Sequence, residues 1–170
     1  MVIEADLERL LDPGYLEDLS ARDATELRAM RAEAQHIEAK LSYLRRLVQG
    51  RLDIVSAELE RRAAGAAPGD LSALVDLLPQ ILADRGRAPG PGRLPTNLVP
   101  PDDEDLTDEL DRAANLGSLP DLSVEQLEEV SERLKALEGT VSRQRRALFA
   151  VIDSGQAELA TRYEHGDVGT

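Results

Sequence analysis

The chain has 170 residues, no cysteine, 31% charged residues and a formal net charge of −13. That length suits one domain, or one long helical unit with an insertion, and the missing thiols exclude disulfides, thiolate metal sites and cysteine nucleophiles. An acidic protein is a poor general binder of DNA or RNA, because duplex affinity rests on neutralised phosphates. An anionic ligand therefore needs a local basic patch, and a macromolecular partner is expected to be basic. Hydrophobic residues reach 42% but aromatic ones only 2%. The core must be aliphatic, and the abundance of Leu, Ala, Glu and Arg points to helices, coiled coil included.

The opening MVIEADLERLLDPG is acidic and amphipathic, unlike a secretory signal. No apolar run approaches the length that spans a bilayer, so a cytoplasmic address without membrane contact is expected. The first long helix is predicted over 23–62. Asp23 is its N-cap candidate, and Glu26 completes a capping-box pattern. Apolar residues recur at Leu27, Met30, Ala34, Ile37, Leu41, Leu44, Val48, Leu52, Val55 and Leu59. The steps alternate between three and four residues, a heptad seam with one stutter near Leu52. A helix of 40 residues spans roughly 60 Å and cannot bury its seam against itself, so it needs a partner of similar length.

Residues 63–122 read as a connecting insertion. AAGAAPG (63–69) stops the first helix, and DLSALVDLLPQILAD (70–84) suggests a short amphipathic helix containing Pro79. A Pro/Gly loop follows over 85–101, then a short acidic helix within 102–117, ended by Gly117. The partner helix comes last, over 123–164, with Ser123 as N-cap candidate and Gln126 three residues on. Its seam runs through Leu127, Val130, Leu134, Leu137, Val141, Leu148, Ile152 and Leu159. An offset of one hundred residues aligns the two helices without a gap, with Glu38, Ser42, Arg45, Arg46, Asp53, Ala57, Glu58 and Arg62 identical in both copies. Internal duplication is the simplest account. The insertion is long enough to return the chain along the first helix, so a single all-α domain over 1–170 is expected: two long antiparallel helices forming a coiled coil, with short helices and a loop between them. The tail 163–170 reads as frayed.

One residue beyond the seam runs a polar series, Glu38, Ser42, Arg45, Gln49 and Asp53, and the second helix repeats it as Glu138, Ser142, Arg145, Phe149 and Asp153. At 100° per residue each series falls within an arc of about 80°. Whether the two stripes of an antiparallel pair lie on different faces or pass one another is not fixed by sequence. The residue set suits a guanine nucleotide. An Arg fork can bond guanine O6 and N7 together, and its plane can stack on a base. A carboxylate can accept from guanine N1–H and N2–H, while Ser and further Arg residues serve phosphates. Arg45, Arg46 and Arg51 form a positive spot at the first stripe, and Arg143, Arg145 and Arg146 form one at the second. Charged shoulders of coiled coils are commonplace, but a solvated face has no need for Ser and Asp in the same slots twice.

The spacing E-x3-S-x2-R-x3-Q-x3-D resembles the signature of the RsiG family, cyclic-di-GMP-dependent anti-sigma factors of actinobacteria. The resemblance covers both long helices. The first copy fits at all five positions, and the second carries Phe149, the only Phe of the chain, in place of Gln. The resemblance implies two long antiparallel helices, each with one signature, whose ten residues together hold a dimer of cyclic di-GMP. It further implies that the loaded coiled coil sequesters a flagellar-type sigma factor that controls sporulation genes. On that reading the acidic run Asp102, Asp103, Glu104, Asp105, Asp108, Glu109 and Asp111 could meet a basic surface of the partner, although acidic residues at a helix N-terminus are also favoured by the macrodipole.

Two other classes stand beside this one. A constitutive coiled-coil adaptor would use the stripes only for solubility and register. An enzyme would need a catalytic constellation. The two histidines, His36 and His165, follow no metal-ligand pattern, and no Gly-rich phosphate loop follows a strand. Neither catalysis nor a metal is expected.

Overall fold

The computed structural model describes residues 2–67 and 104–165. The short helix expected over 70–84, the Pro/Gly loop and the end of the tail lie outside them. The described residues are helices and turns, with no strand among them: α1 (Val2–Leu10), α2 (Ala24–Ala63), α3 (Glu104–Ala113) and α4 (Val124–His165). The fold is all-α, and α2 and α4 pack as an antiparallel hairpin.

Both long helices start where the sequence places a cap. Asp23 Oδ1 accepts from the N–H groups of Thr25 (2.7 Å) and Glu26 (2.8 Å), and Glu26 reaches back to the Asp23 N–H at 2.9 Å. Ser123 and Gln126 form the same reciprocal box, at 3.2 and 2.8 Å. These boxes satisfy N–H groups that a helix start otherwise leaves without partners. At its other end α2 stops in a Schellman arrangement. Gly65 adopts φ +89°, and the N–H groups of Gly65 and Ala66 donate to the carbonyls of Arg62 (2.9 Å) and Arg61 (3.2 Å). Gly117 does not end α3. That helix stops at Ala113, because Asn115 caps the following 3-10 turn (Leu116–Asp121) by accepting from the Gly117 N–H at 2.9 Å.

The chain divides into two compact units, residues 1–42 with 141–170, and residues 43–140. In the first unit the early half of α2 meets the late half of α4, as the Arg28–Tyr163 hydrogen bond (2.9 Å) shows. Leu27, Met30, Ala34, Ile37 and Leu41 are buried there with Val141, Leu148, Val151 and Leu159. Tyr15, Leu16 and Leu19, from the two 3-10 turns Pro13–Leu16 and Leu19–Ala21, close the end of this core. Arg9 on α1 pairs with Glu33 on α2. A Cβ at Gly155 would stand 3.1 Å from Met30 Cε, so the missing side chain is what lets Met30 lie against α4. In the second unit Leu44, Val48 and Val55 of α2 are buried, as are Leu127, Val130 and Leu134 of α4 and Leu110, Ala114 and Leu119 of the segment before it.

The inward register of α2 differs from the apolar seam beyond Val48. Leu52 and Leu59 are only half-buried, whereas Glu58 is 2% exposed and the Arg62 side chain 4%. The register continues in alternating steps through Arg51, Val55, Glu58 and Arg62, so α2 has no stutter. Charged residues occupy seam positions and apolar ones sit beside them. In α4 the corresponding inward positions are Val151 and Gly155, and Ile152 and Leu137 are half-buried.

These inward charges show that the duplication exceeds the long helices. In the second unit Arg62 bonds Glu58 (Nε to Oε1, 2.6 Å) and donates to the carbonyls of Leu119 (3.1 Å), Pro120 (3.2 Å) and Leu122. In the first unit Arg162 bonds Glu158 (2.9 Å) and donates to the carbonyls of Leu19 (2.9 Å) and Ser20 (3.1 Å). The C-terminal turn of each long helix thus clamps the 3-10 turn that introduces the other. Each copy consists of a short helix, 3-10 turns opened by an Asx cap (Asp12 or Asn115), and a long helix with a capping box.

Candidate functional site

The repeated polar residues sit on the shoulder of the seam because each of Glu38, Ser42, Arg45 and Gln49 follows a buried residue: Ile37, Leu41, Leu44 or Val48. All five of the first copy are half-buried. In the second, Glu138, Ser142, Arg145 and Phe149 are half-buried and Asp153 is exposed. This is the depth at which a side chain is held by its neighbours and still reaches a ligand.

Each unit brings residues of both copies together. In the first unit Arg145 donates through Nε (3.0 Å) and Nη2 (2.9 Å) to Glu38 Oε1, and Ser42 Oγ donates to the same oxygen at 2.6 Å. The Arg145 guanidinium also lies over the Phe149 ring, 5.6 Å from its centroid. In the second unit Arg45 Nε donates to Glu138 Oε1 at 2.8 Å. The two ion pairs are one pair with the copies exchanged: Glu of the first signature with Arg of the second, and Glu of the second with Arg of the first. The antiparallel register therefore sets the stripes against each other rather than on separate faces. Side-chain exposures are 18% for Glu38 and 21% for Arg145, and 26% for Glu138 and 35% for Arg45, so both pairs keep some contact with solvent.

The positive spots are smaller than the sequence suggests. Arg51 is withdrawn from the first: its guanidinium bonds the carbonyls of Leu110 (2.9 Å) and Ala114 and the carboxylate of Asp111, fixing the C-terminal end of α3. Arg46, Arg143 and Arg146 remain exposed. His36 and His165 are exposed, and among the described residues no cluster of His, Asp and Glu could hold a metal. No helix among them is long and apolar enough to cross a membrane. The residues that sequence reasoning missed are Arg51, Glu58 and Arg62 with the Glu158–Arg162 pair. The identities of Glu58 and Arg62 in both copies are the signal that could have revealed the clamps.

Residues 13–82, which include the first signature and the whole of α2, match the model of the RsiG-like family. The match supports the resemblance carried by the signatures, and the family points to a regulatory, anti-sigma-factor role. No curated protein matches the chain.

Proposed function

We propose that the protein is an anti-sigma factor that binds cyclic di-GMP through the two signature stripes and, when loaded, sequesters a flagellar-type sigma factor, repressing sporulation genes. The observation that carries this reading is the exchange of ion pairs between copies, which sets Glu38, Ser42, Arg145 and Phe149 together in one unit and Arg45 and Glu138 in the other. In this reading carboxylates accept from the N1–H and N2–H edge of guanine, arginines meet bases and phosphates, and the exposed Arg46, Arg143 and Arg146 offset phosphate charge in an acidic protein. Gln49, Asp53, Ser142 and Asp153 complete the two stripes. The ligand presents part of its own surface to the partner, so ligand and sigma factor each strengthen binding of the other by the same factor.

The test is co-purification of a flagellar-type sigma factor from cells, with the tagged protein washed in buffer containing or lacking cyclic di-GMP. Retention only with the dinucleotide is expected. Equal retention in both buffers would leave a constitutive adaptor as the better account.

A further inference from the structure

We infer that Phe149 is a positioning residue that, together with Glu38, holds the Arg145 guanidinium as a stacking platform for a planar base. This rests on the cyclic di-GMP reading above. Three features of Arg145 carry it. Nε and Nη2, one of the two edges by which a guanidinium can bond paired acceptors, both donate to Glu38 Oε1, at 3.0 and 2.9 Å. Ser42 donates to that same oxygen at 2.6 Å, which fixes the carboxylate from its own helix. The guanidinium carbon lies over the Phe149 ring, 5.6 Å from its centroid and one helical turn from it along α4. Held at one edge by Glu38 and beside the ring of Phe149, the Arg145 side chain keeps 21% of its surface exposed.

A guanidinium stacks well on a purine because both are flat and the cation sits over π density. An aromatic ring on its other side stops it from rotating out of that plane. The glutamine in the corresponding slot of the first copy, Gln49, has no ring to do this, so the device belongs to the Arg145 half-site. Reading of the guanine edge then falls to the carboxylates, and Phe149 acts through Arg145 without touching the ligand itself.

The test uses full-length protein carrying Phe149→Leu, Phe149→Gln or Phe149→Tyr. In ligand-free protein the Arg145 Nε–Hε resonance is expected upfield in the wild type and in Phe149→Tyr, where a ring current acts on it. It should move to the ordinary arginine position in Phe149→Leu and Phe149→Gln, with helix content by circular dichroism unchanged. In calorimetric titrations with cyclic di-GMP, Phe149→Leu and Phe149→Gln should each weaken binding about 2- to 5-fold, and Phe149→Tyr should restore it. An Arg145 resonance indifferent to the ring would overturn the positioning role. Wild-type affinity in both ring-less variants, or failure of Phe149→Tyr to restore it, would overturn the platform. Absence of any wild-type heat would instead sink the cyclic di-GMP reading and the platform with it, while the resonance still decides whether Phe149 positions Arg145.

Discussion

Replacing Arg62 with Ala is expected to lower stability by about 1.5–3 kcal/mol, the range for hydrogen bonds to a charged group, read as a fall in the urea midpoint. Arg62 lies between a carboxylate that is 2% exposed and three turn carbonyls. Its loss leaves those acceptors short of a donor, and Arg61, which bonds Glu58 at 2.8 and 2.9 Å, can satisfy only the acid. The equivalent Arg162→Ala should cost less, because Arg162 and Glu158 are 15% and 24% exposed and water can replace part of what is lost. The same pair sets a pH dependence. Hydrogen bonding from Arg61 holds the Glu58 carboxyl below its ordinary value of 4.5 against the opposing effect of burial, and Arg62 adds to the lowering. A depressed carboxylate contributes stability above its unfolded pKa, and that contribution is lost as pH falls through the folded one. The acid limb of the wild-type stability curve should therefore lie at lower pH than that of Arg62→Ala. An unchanged urea midpoint in the variant would mean that the clamp is not formed.

Arg51→Ala should free α3 while sparing the hairpin. A ten-residue helix is too short to persist alone in water, and Arg51 closes its C-terminal end through two carbonyls and one carboxylate. Charge-assisted hydrogen bonds of this kind contribute about 1.5–3 kcal/mol, so amide exchange over residues 104–113 should accelerate by about one to two orders of magnitude. Exchange in α2 and α4 should stay as in the wild type. Uniform acceleration across the chain would instead make Arg51 part of the global core.

Much of the fold is legible in the sequence because its signals are local. Asp23 with Glu26 and Ser123 with Gln126 are four-residue patterns, and both form their boxes as read. The apolar seam predicts burial correctly from Leu27 to Val48. Beyond Val48 it places Val55 correctly but misses at Leu52 and Leu59, because hydrophobicity is a poor guide where neighbouring inward positions carry charge. Arg51, Glu58 and Arg62 face inward because distant backbone carbonyls and each other satisfy them, and no pattern within one helix reveals those partners. Apolar Leu52 and Leu59 beside them draw the reading off by one residue. The short helix before each 3-10 turn was likewise invisible as a repeat, since the first copy spaces its Asx cap eleven residues before the long-helix cap and the second copy only eight.

The candidate site divides the same way. Periodicity alone puts Glu38, Ser42, Arg45 and Gln49 beside the seam. Which residue of one stripe meets which of the other depends on the antiparallel register, and only the structure gives the crossed pairs Glu38–Arg145 and Arg45–Glu138. The departure at Phe149 was legible as an oddity, but its place under the Arg145 guanidinium was not.

The most direct measurement is a calorimetric titration of the wild-type protein, Arg45→Ala and Arg145→Ala with cyclic di-GMP, each shown to be folded by circular dichroism. Saturable heat for the wild type is expected, with affinity reduced about tenfold or more in each variant, as loss of one charge-assisted contact implies. Absence of heat from folded wild-type protein, or unchanged affinity in both variants, would contradict the assignment of the crossed pairs to ligand binding.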